Sequence, residues 1–433
     1  MQVEFFVAGA NFLFCVQRLV MAFKSRRLSA LVWALAAYFS FFFIFVILDG
    51  PFSKYRGFTG DTLYVRQHHI DYACYYITFF HLIFAVSERV VWKFLGVFPD
   101  RITWELPRYD RRLSAMRGIF FALLAVGGVL YWWQMRSLGY RDYVEYAGSN
   151  WSMVFLWASS PFITISMMQR RYWSAVLAAV PFVIFAVMLH VRSFALLSAI
   201  PAVMIGYVHL WGHYQNKRRL FSMVLAACIL SGGLLGLSAV IMYQKGGHLK
   251  LPDSDMVYGT AIIIAATKHA EHHTGFNSLE GYGLNFVNPF FRLFGIERPK
   301  LIDTPVYMAS LVDGVPKDWP VYYHYPTLWY ADSFISFGGK GLVLAAFWAL
   351  ILTIWEVVIL RYPAMIALML PYYSWHTYML IRGTPAIASV PFSYAFYISA
   401  MVLFAFGGRL AWATPVRIEP PIVVSEEALQ EVQ

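Results

Sequence analysis

The chain has 433 residues, of which 59% are hydrophobic and 13% charged, with a formal net charge of +10. Soluble domains carry about 25% charged residues, and so few charges do not cover the surface of a water-facing protein of this length. A soluble enzyme, a disordered chain and a disulfide scaffold are excluded, and an all-α polytopic membrane protein remains.

A bilayer core of about 30 Å needs about 20 apolar residues per helix. Read with that ruler, the sequence predicts about eleven spans, near 5–23, 28–48, 70–87, 118–135, 151–168, 173–190, 194–212, 220–242, 341–360, 363–381 and 392–412. Gln2 and Glu4 stand where a cleavable signal peptide would have a basic segment, so no such peptide is expected. Cys15, Cys74 and Cys228 lie inside apolar runs and read as small packing residues. The same holds for His81, His209 and His376, which read as satisfied core histidines. Arg18 and Glu356 lie near the ends of their spans, where snorkelling accounts for them.

The connections alternate in charge. One set holds Lys24, Arg26 and Arg27, the cations from Arg89 to Arg117, Arg170 and Arg171, Lys217 to Arg219, and Arg361. The short connections of the other set hold fewer: Lys54, Arg56, Arg66, Arg136, Arg141, Arg192 and Arg382. The positive-inside rule puts the first set in the cytoplasm, with the N-terminus outside and the C-terminus inside. The +10 charge is then a matter of topology, and no nucleic acid is expected as a partner.

The organisation follows from the longest connection. Residues 1–242 carry the first eight spans, 243–340 form one large outer loop with short helices, 341–412 carry the last three spans, and 413–433 are a cytoplasmic tail. Long loops are usually functional or disordered, and this one is too aromatic for disorder. Met256 to His272 reads as an amphipathic helix. Asn288 to Pro326 is proline-rich and reads as irregular, and Pro326 reads as the start of a short helix through Ser333.

Cations on the outer side carry the chemistry. Arg192 lies in the short turn His190-Val-Arg-Ser-Phe194, and Arg382 ends a span in Leu-Ile-Arg-Gly-Thr384. Ionisable groups at membrane depth are costly and commonly functional. A guanidinium stays charged and grips phosphate with two prongs, which suits a lipid diphosphate. Snorkelling to the interface is the competing account. His269-Ala-Glu-His-His273 lacks the spacing of a metal helix and reads as a solvated face, and Asp253-Ser-Asp255 is too short a pattern to define a cation site. No metal and no other cofactor is expected. The end of the loop, His324-Tyr-Pro-Thr-Leu-Trp-Tyr-Ala-Asp332, holds a histidine and a carboxylate suited to accepting a hydroxyl proton. Its tyrosines and tryptophan read either as sugar-stacking rings or as an interfacial belt.

Several segments resemble the Wzy-type polymerases of O-antigen and related surface polysaccharides. His190-Val-Arg-Ser-Phe-Ala-Leu-Leu197 is similar to that family's S-R-x-x-L-L turn, and Phe294-Gly-Ile-Glu-Arg-Pro-Lys300 to its I-P-R-x-x-x-x-K-P segment. Trp329 through Phe337-Gly-Gly-Lys-Gly341 is similar to its E-x-Y-x-x-F-G-x-x-G, and Ile381-Arg-Gly383 also matches. The resemblance covers about the last half of the chain. The basic residues around Pro299 are more closely spaced than in the family, and Asp332 stands where Glu is common.

The resemblance implies a GT-C-like, metal-independent glycosyltransferase of the bacterial inner membrane with a periplasmic loop. It would transfer a glycan from undecaprenyl diphosphate to a new lipid-linked repeat unit, with a Wzz-type chain-length regulator as a further partner. Arg192 and Arg382, with Arg298 and Lys300, would hold the diphosphate. His324 or Asp332 would activate the acceptor hydroxyl, and Tyr325, Trp329 and Tyr330 would line the glycan path. Two alternatives stay open: an O-antigen ligase acting on lipid A core, for which His324 argues, and a lipid-linked glycan flippase.

Overall fold

The computed structural model describes residues 2–50, 52–56, 62–95, 111–136, 151–188, 193–211, 277–297, 328–361 and 363–406, with isolated stretches at 236, 259–262, 264–265, 304 and 307. The expected eighth span, 220–242, lies outside them apart from residue 236.

The chain opens with an antiparallel pair, α1 (Gln2–Lys24) and α2 (Ala30–Asp49), followed by a hairpin of β1 (Phe52–Arg56) and β2 (Thr62–Val65). Next come α3 (Gln67–Leu95), α4 (Arg111–Met135), α5 (Trp151–Ala158), α6 (Pro161–Met168), α7 (Tyr172–Met188) and α8 (Ser193–Trp211). After the long connection stand α9 (Ser278–Leu293), α10 (Trp329–Phe337) with a 3-10 turn at Gly338–Leu342, α11 (Val343–Arg361), α12 (Pro363–Arg382), α13 (Pro385–Ser389) and α14 (Ala395–Phe406).

Among the described residues, seven helical stretches are long and apolar enough to cross a membrane: α1, α2, α3, α4, α5 with α6, α10 with α11, and α13 with α14. Two shorter apolar helices lie at Tyr172–Phe185 and Ala199–Val208. The protein is therefore helical and membrane-embedded. Three details differ from the sequence expectation. The span at 151–168 is two helices, because Pro161 has no N–H to continue α5 and instead opens α6. The hairpin between α2 and α3 has no counterpart in the predicted spans. And α9 runs as a helix through Asn288 to Leu293, where an irregular chain was expected, since one proline at position 289 removes a single ladder bond.

α12 is the centre of the bundle. It touches α2, α6, α8, α10, α11, α13 and α14. Nearly every residue from Ile366 to Ile381 is buried, including Tyr373, Ser374, His376 and Thr377. A helix enclosed by other helices can carry polar groups that a lipid-facing helix cannot. Cross-helix bonds use that freedom. Thr164 Oγ1 on α6 donates to the Ala367 carbonyl at 2.8 Å, and the hydroxyls of Tyr372 and Ser399 (on α14) meet at 2.8 Å.

One end of the bundle is closed by buried charge. Arg18 on α1 reaches Glu88 Oε2 on α3 at 2.7 Å, and Arg27 lies 3.0 Å from Glu88 Oε1 and 3.4 Å from Glu356 Oε2 on α11. Further contacts hold the two carboxylates and Arg27. Trp33 Nε1 donates to Glu88 Oε2 at 3.1 Å, the Leu28 backbone N–H donates to Glu356 Oε1 at 2.6 Å, and Arg27 sits 4.1 Å over the Trp92 ring. Ser29 makes no side-chain cap at the start of α2, so Glu356 supplies the negative charge that this positive helix end attracts. The snorkelling expected of Arg18 and Glu356 is thereby corrected. The Glu356 side chain is 0% exposed, and it is held by a cation from a distant part of the sequence.

Removing one member of a buried pair leaves an uncompensated charge and typically costs about 3–5 kcal/mol, whereas replacing both with apolar side chains is often neutral. Glu356→Ala is therefore expected to lower the thermal unfolding midpoint markedly, followed by tryptophan fluorescence in detergent. The double variant Arg27→Met/Glu356→Leu should melt closer to the unmodified protein.

Candidate functional site

The opposite end of the bundle is where the helices of the large loop dock. α9 packs on α13 and touches α10. Asn285 Nδ2 donates to the Ala386 carbonyl at 2.8 Å and to Ser389 Oγ at 2.9 Å, and the Tyr397 hydroxyl donates to the Phe286 carbonyl at 2.9 Å. Arg382 lies at the last turn of α12, four residues before that anchor, half-buried, with its guanidinium 5.5 Å from the Tyr378 ring centre. Thr384 then caps α13, accepting from the Ile387 N–H at 3.2 Å.

Asp332 is 1% exposed in the first turn of α10. Both of its oxygens accept hydroxyl bonds: Oδ2 from Ser278 Oγ at 2.6 Å and Oδ1 from Thr304 Oγ1 at 2.7 Å. Ser336 Oγ donates in turn to Ser278 Oγ at 3.0 Å. As a fastening between α10 and the loop residues Ser278 and Thr304 the group is well placed.

The F-G-x-x-G segment has a steric explanation. Gly338 ends α10 at φ +57°, the left-handed region that disfavours a side chain. At Gly341 an added Cβ would overlap the Ser333 carbonyl oxygen and lie 2.6 Å from the Tyr76 hydroxyl. The two glycines let α10 fold back tightly against α3 before α11 begins.

Trp329 and Tyr330 are each 1% exposed. Trp329 packs on Phe80 and Phe84 of α3, with ring centres 5.0 and 5.4 Å away. The Tyr330 hydroxyl meets His81 Nε2 at 3.2 Å, and His81 Nδ1 meets Asn11 Oδ1 at 2.9 Å. Because Asn11 Nδ2 donates to Ser40 Oγ at 3.1 Å, its oxygen faces the imidazole. His81 therefore carries its proton on Nδ1 and accepts from Tyr330. His81 is thus a satisfied core histidine, as expected. The two loop-end aromatics anchor α10 to the bundle, and neither presents a ring face to an open path. Arg192, Arg298, Lys300, His324 and Tyr325 lie outside the described residues, as do Asp253, Asp255 and the histidines from His269 to His273.

His376 breaks the expectation set for core histidines. It is 0% exposed, and neither ring nitrogen meets a hydrogen-bond partner among the described residues. Four rings surround it: Trp355 at 4.8 Å, Tyr282 at 5.6 Å, Phe392 at 6.0 Å and Trp348 at 6.2 Å. Each buried polar group left without a partner costs about 1–3 kcal/mol, so such clusters in a native protein call for a reason. Nothing in the sequence distinguishes His376 from His81; the difference lies in which neighbours each helix presents.

The chain matches no known family model, no curated protein and no solved structure.

Asp332→Ala strands the hydroxyls of Ser278 and Thr304 and should cost about 1–3 kcal/mol. Asp332→Asn should cost less, because hydroxyls can exchange donor and acceptor roles. Thermal melts of the two variants in detergent read the difference. Gly341→Ala should abolish folded yield on size-exclusion chromatography, whereas Gly339→Ala, whose Cβ would meet only the Tyr72 hydroxyl at 3.3 Å, should be recovered.

Proposed function

We propose that the protein is a bacterial inner-membrane glycosyltransferase that polymerises lipid-diphosphate-linked repeat units at its outer face. The observation that carries this reading is the docking of α9 and α10 against the end of the bundle where α12 presents Arg382. A half-buried guanidinium beside loop helices, at the end opposite the buried ion network, suits a substrate with a lipid tail and an anionic headgroup. The tail would lie along apolar helices, and the diphosphate would sit at the interface.

In this reading Arg382 and Arg192 grip the donor diphosphate, aided by Arg298 and Lys300. Fixed cations stabilise the charge that develops on a departing diphosphate and need no metal to do so. The glycosidic carbon is attacked by an acceptor sugar hydroxyl, whose proton passes to a nearby base. His324 takes that role in preference to Asp332, whose oxygens are committed to Ser278 and Thr304. Of the three aromatics expected on the glycan path, Tyr325 keeps that assignment, because Trp329 and Tyr330 are buried against α3. The bundle is read as GT-C-like, with the N-terminus periplasmic and the C-terminus cytoplasmic, and a Wzz-type regulator as a partner. The resemblance of the His190–Leu197 and Trp329–Gly341 segments to Wzy-type polymerases supports the same reading.

Arg382→Ala or Arg192→Ala should lower transfer by about 10²–10³-fold, as when one oxyanion-type donor is removed. Cells carrying either variant at normal protein level should make single repeat units in place of long chains. Arg382→Lys should recover only part of the loss, since an ammonium lacks the two-pronged geometry. A full polymer ladder from both alanine variants overturns the assignment. Purified protein with radiolabelled lipid-linked donor and acceptor separates the alternatives. Longer lipid-linked products mean polymerisation, product on lipid A core means ligation, and the absence of any covalent product points to transport.

A further inference from the structure

The middle of α12 concentrates unmet polar groups. Both ring nitrogens of His376 and Trp375 Nε1 have no hydrogen-bond partner among the described residues. Tyr373, His376 and Thr377 are 0% exposed and Trp375 is 7% exposed. Residues three and four apart share a helix face, so Tyr373, His376 and Thr377 form one polar stripe. The rings around His376 do not replace hydrogen bonds. An aromatic face can receive one N–H weakly, but the second nitrogen of a neutral imidazole is an acceptor and needs a donor.

The position of the stripe is informative. Towards one end, Tyr373 lies within electrostatic reach of Glu356, Glu88 and Arg27. On the other side, His376 is covered by Tyr282 of α9, a helix of the large loop held by Asn285 against α13. The titratable group packed on the imidazole is Tyr282 from α9, with Tyr373 one turn away on its own helix. Phe392, from the turn after α13, adds only a ring.

We propose that His376 is an internal proton-exchanging site whose ligand is water, reached along the Tyr373–Thr377 stripe and covered by Tyr282. Buried polar groups with two or more unmet valences are where ordered water resides in proteins, and a histidine among them is the side chain suited to take and release a proton. This site is distinct from the Arg382 end of α12 and does not depend on glycosyl transfer.

The exchange of histidine C2 hydrogens for deuterium tests it. That exchange requires the ring to be protonated and water or hydroxide to reach it. The full chain, held in lipid nanodiscs, is incubated in deuterated buffer, and each histidine peptide is read by mass spectrometry. His81, locked by Asn11 and Tyr330, is the internal reference. His376 should exchange about tenfold faster than His81 or more, since a closed hydrogen-bond network opens rarely. Equal or slower exchange at His376 means a dry aromatic box and overturns the proposal. Tyr282→Ala should speed exchange at His376 and leave His81 unchanged, whereas an unchanged His376 rate would remove Tyr282 as the cover. If Tyr282→Ala does not fold, the comparison of the two histidines in the unmodified protein still decides.

Discussion

The buried network of Arg18, Arg27, Glu88 and Glu356 is the constraint on which the rest of the bundle depends. Helices in lipid gain little from hydrophobic association, because acyl chains are as apolar as leucine. Packing, and polar contacts that cannot be made with lipid, must fix which helices meet. Two carboxylates and two guanidiniums do this for α1, the start of α2, α3 and α11. Their charges cancel and their oxygens are nearly all engaged, which is what makes burial tolerable. The network also sets direction. The ends of α1, α3 and α11 and the beginning of α2 must lie together, so Asp332, eleven residues before the start of α11 at Val343, falls at the other end of the molecule.

With one end pinned, α12 can be enclosed on all sides. That enclosure explains why the helix carries Tyr373, Ser374, His376 and Thr377, which would be costly against lipid. The polar groups that remain then divide in two. Asp332, on α10, is satisfied by Ser278 and Thr304 from separate elements. Both ring nitrogens of His376, at the middle of α12, meet no partner among the described residues. The division fits a loop that is fastened at one point and covers a polar interior at another.

The spans were legible in the sequence because burial in lipid needs only length and apolarity. α1, α2, α3, α4 and α11 lie close to their expected positions for that reason. Partners were not legible. Glu88 and Glu356 are 268 positions apart, and no local pattern says that Arg27 stands between them. His81 and His376 look alike in sequence, each a lone imidazole in an apolar run. Their difference comes from the neighbours that Asn11 and Tyr330 supply to one, and that Trp355 and Tyr282 supply to the other. The glycines of Phe337–Gly341 were legible as a motif, and the structure adds their physical reason, a left-handed helix end and a contact too close for a side chain.

The fastening by Asp332 bears on how the candidate site would work. A carboxylate that accepts two hydroxyl bonds at the start of α10 is a structural fastening, and a change in its charge obliges Ser278 and Thr304 to rearrange their hydroxyls. In the proposed function a general base must be free to change charge, and a carboxylate that also fastens two elements changes charge at a structural cost. The same logic separates Arg382 from Arg27. Both are guanidiniums near a helix end, but Arg27 lies between two carboxylates and over a tryptophan face. Arg382 ends α12 half-buried beside the Tyr378 ring, at the end of the bundle where α9 packs on α13.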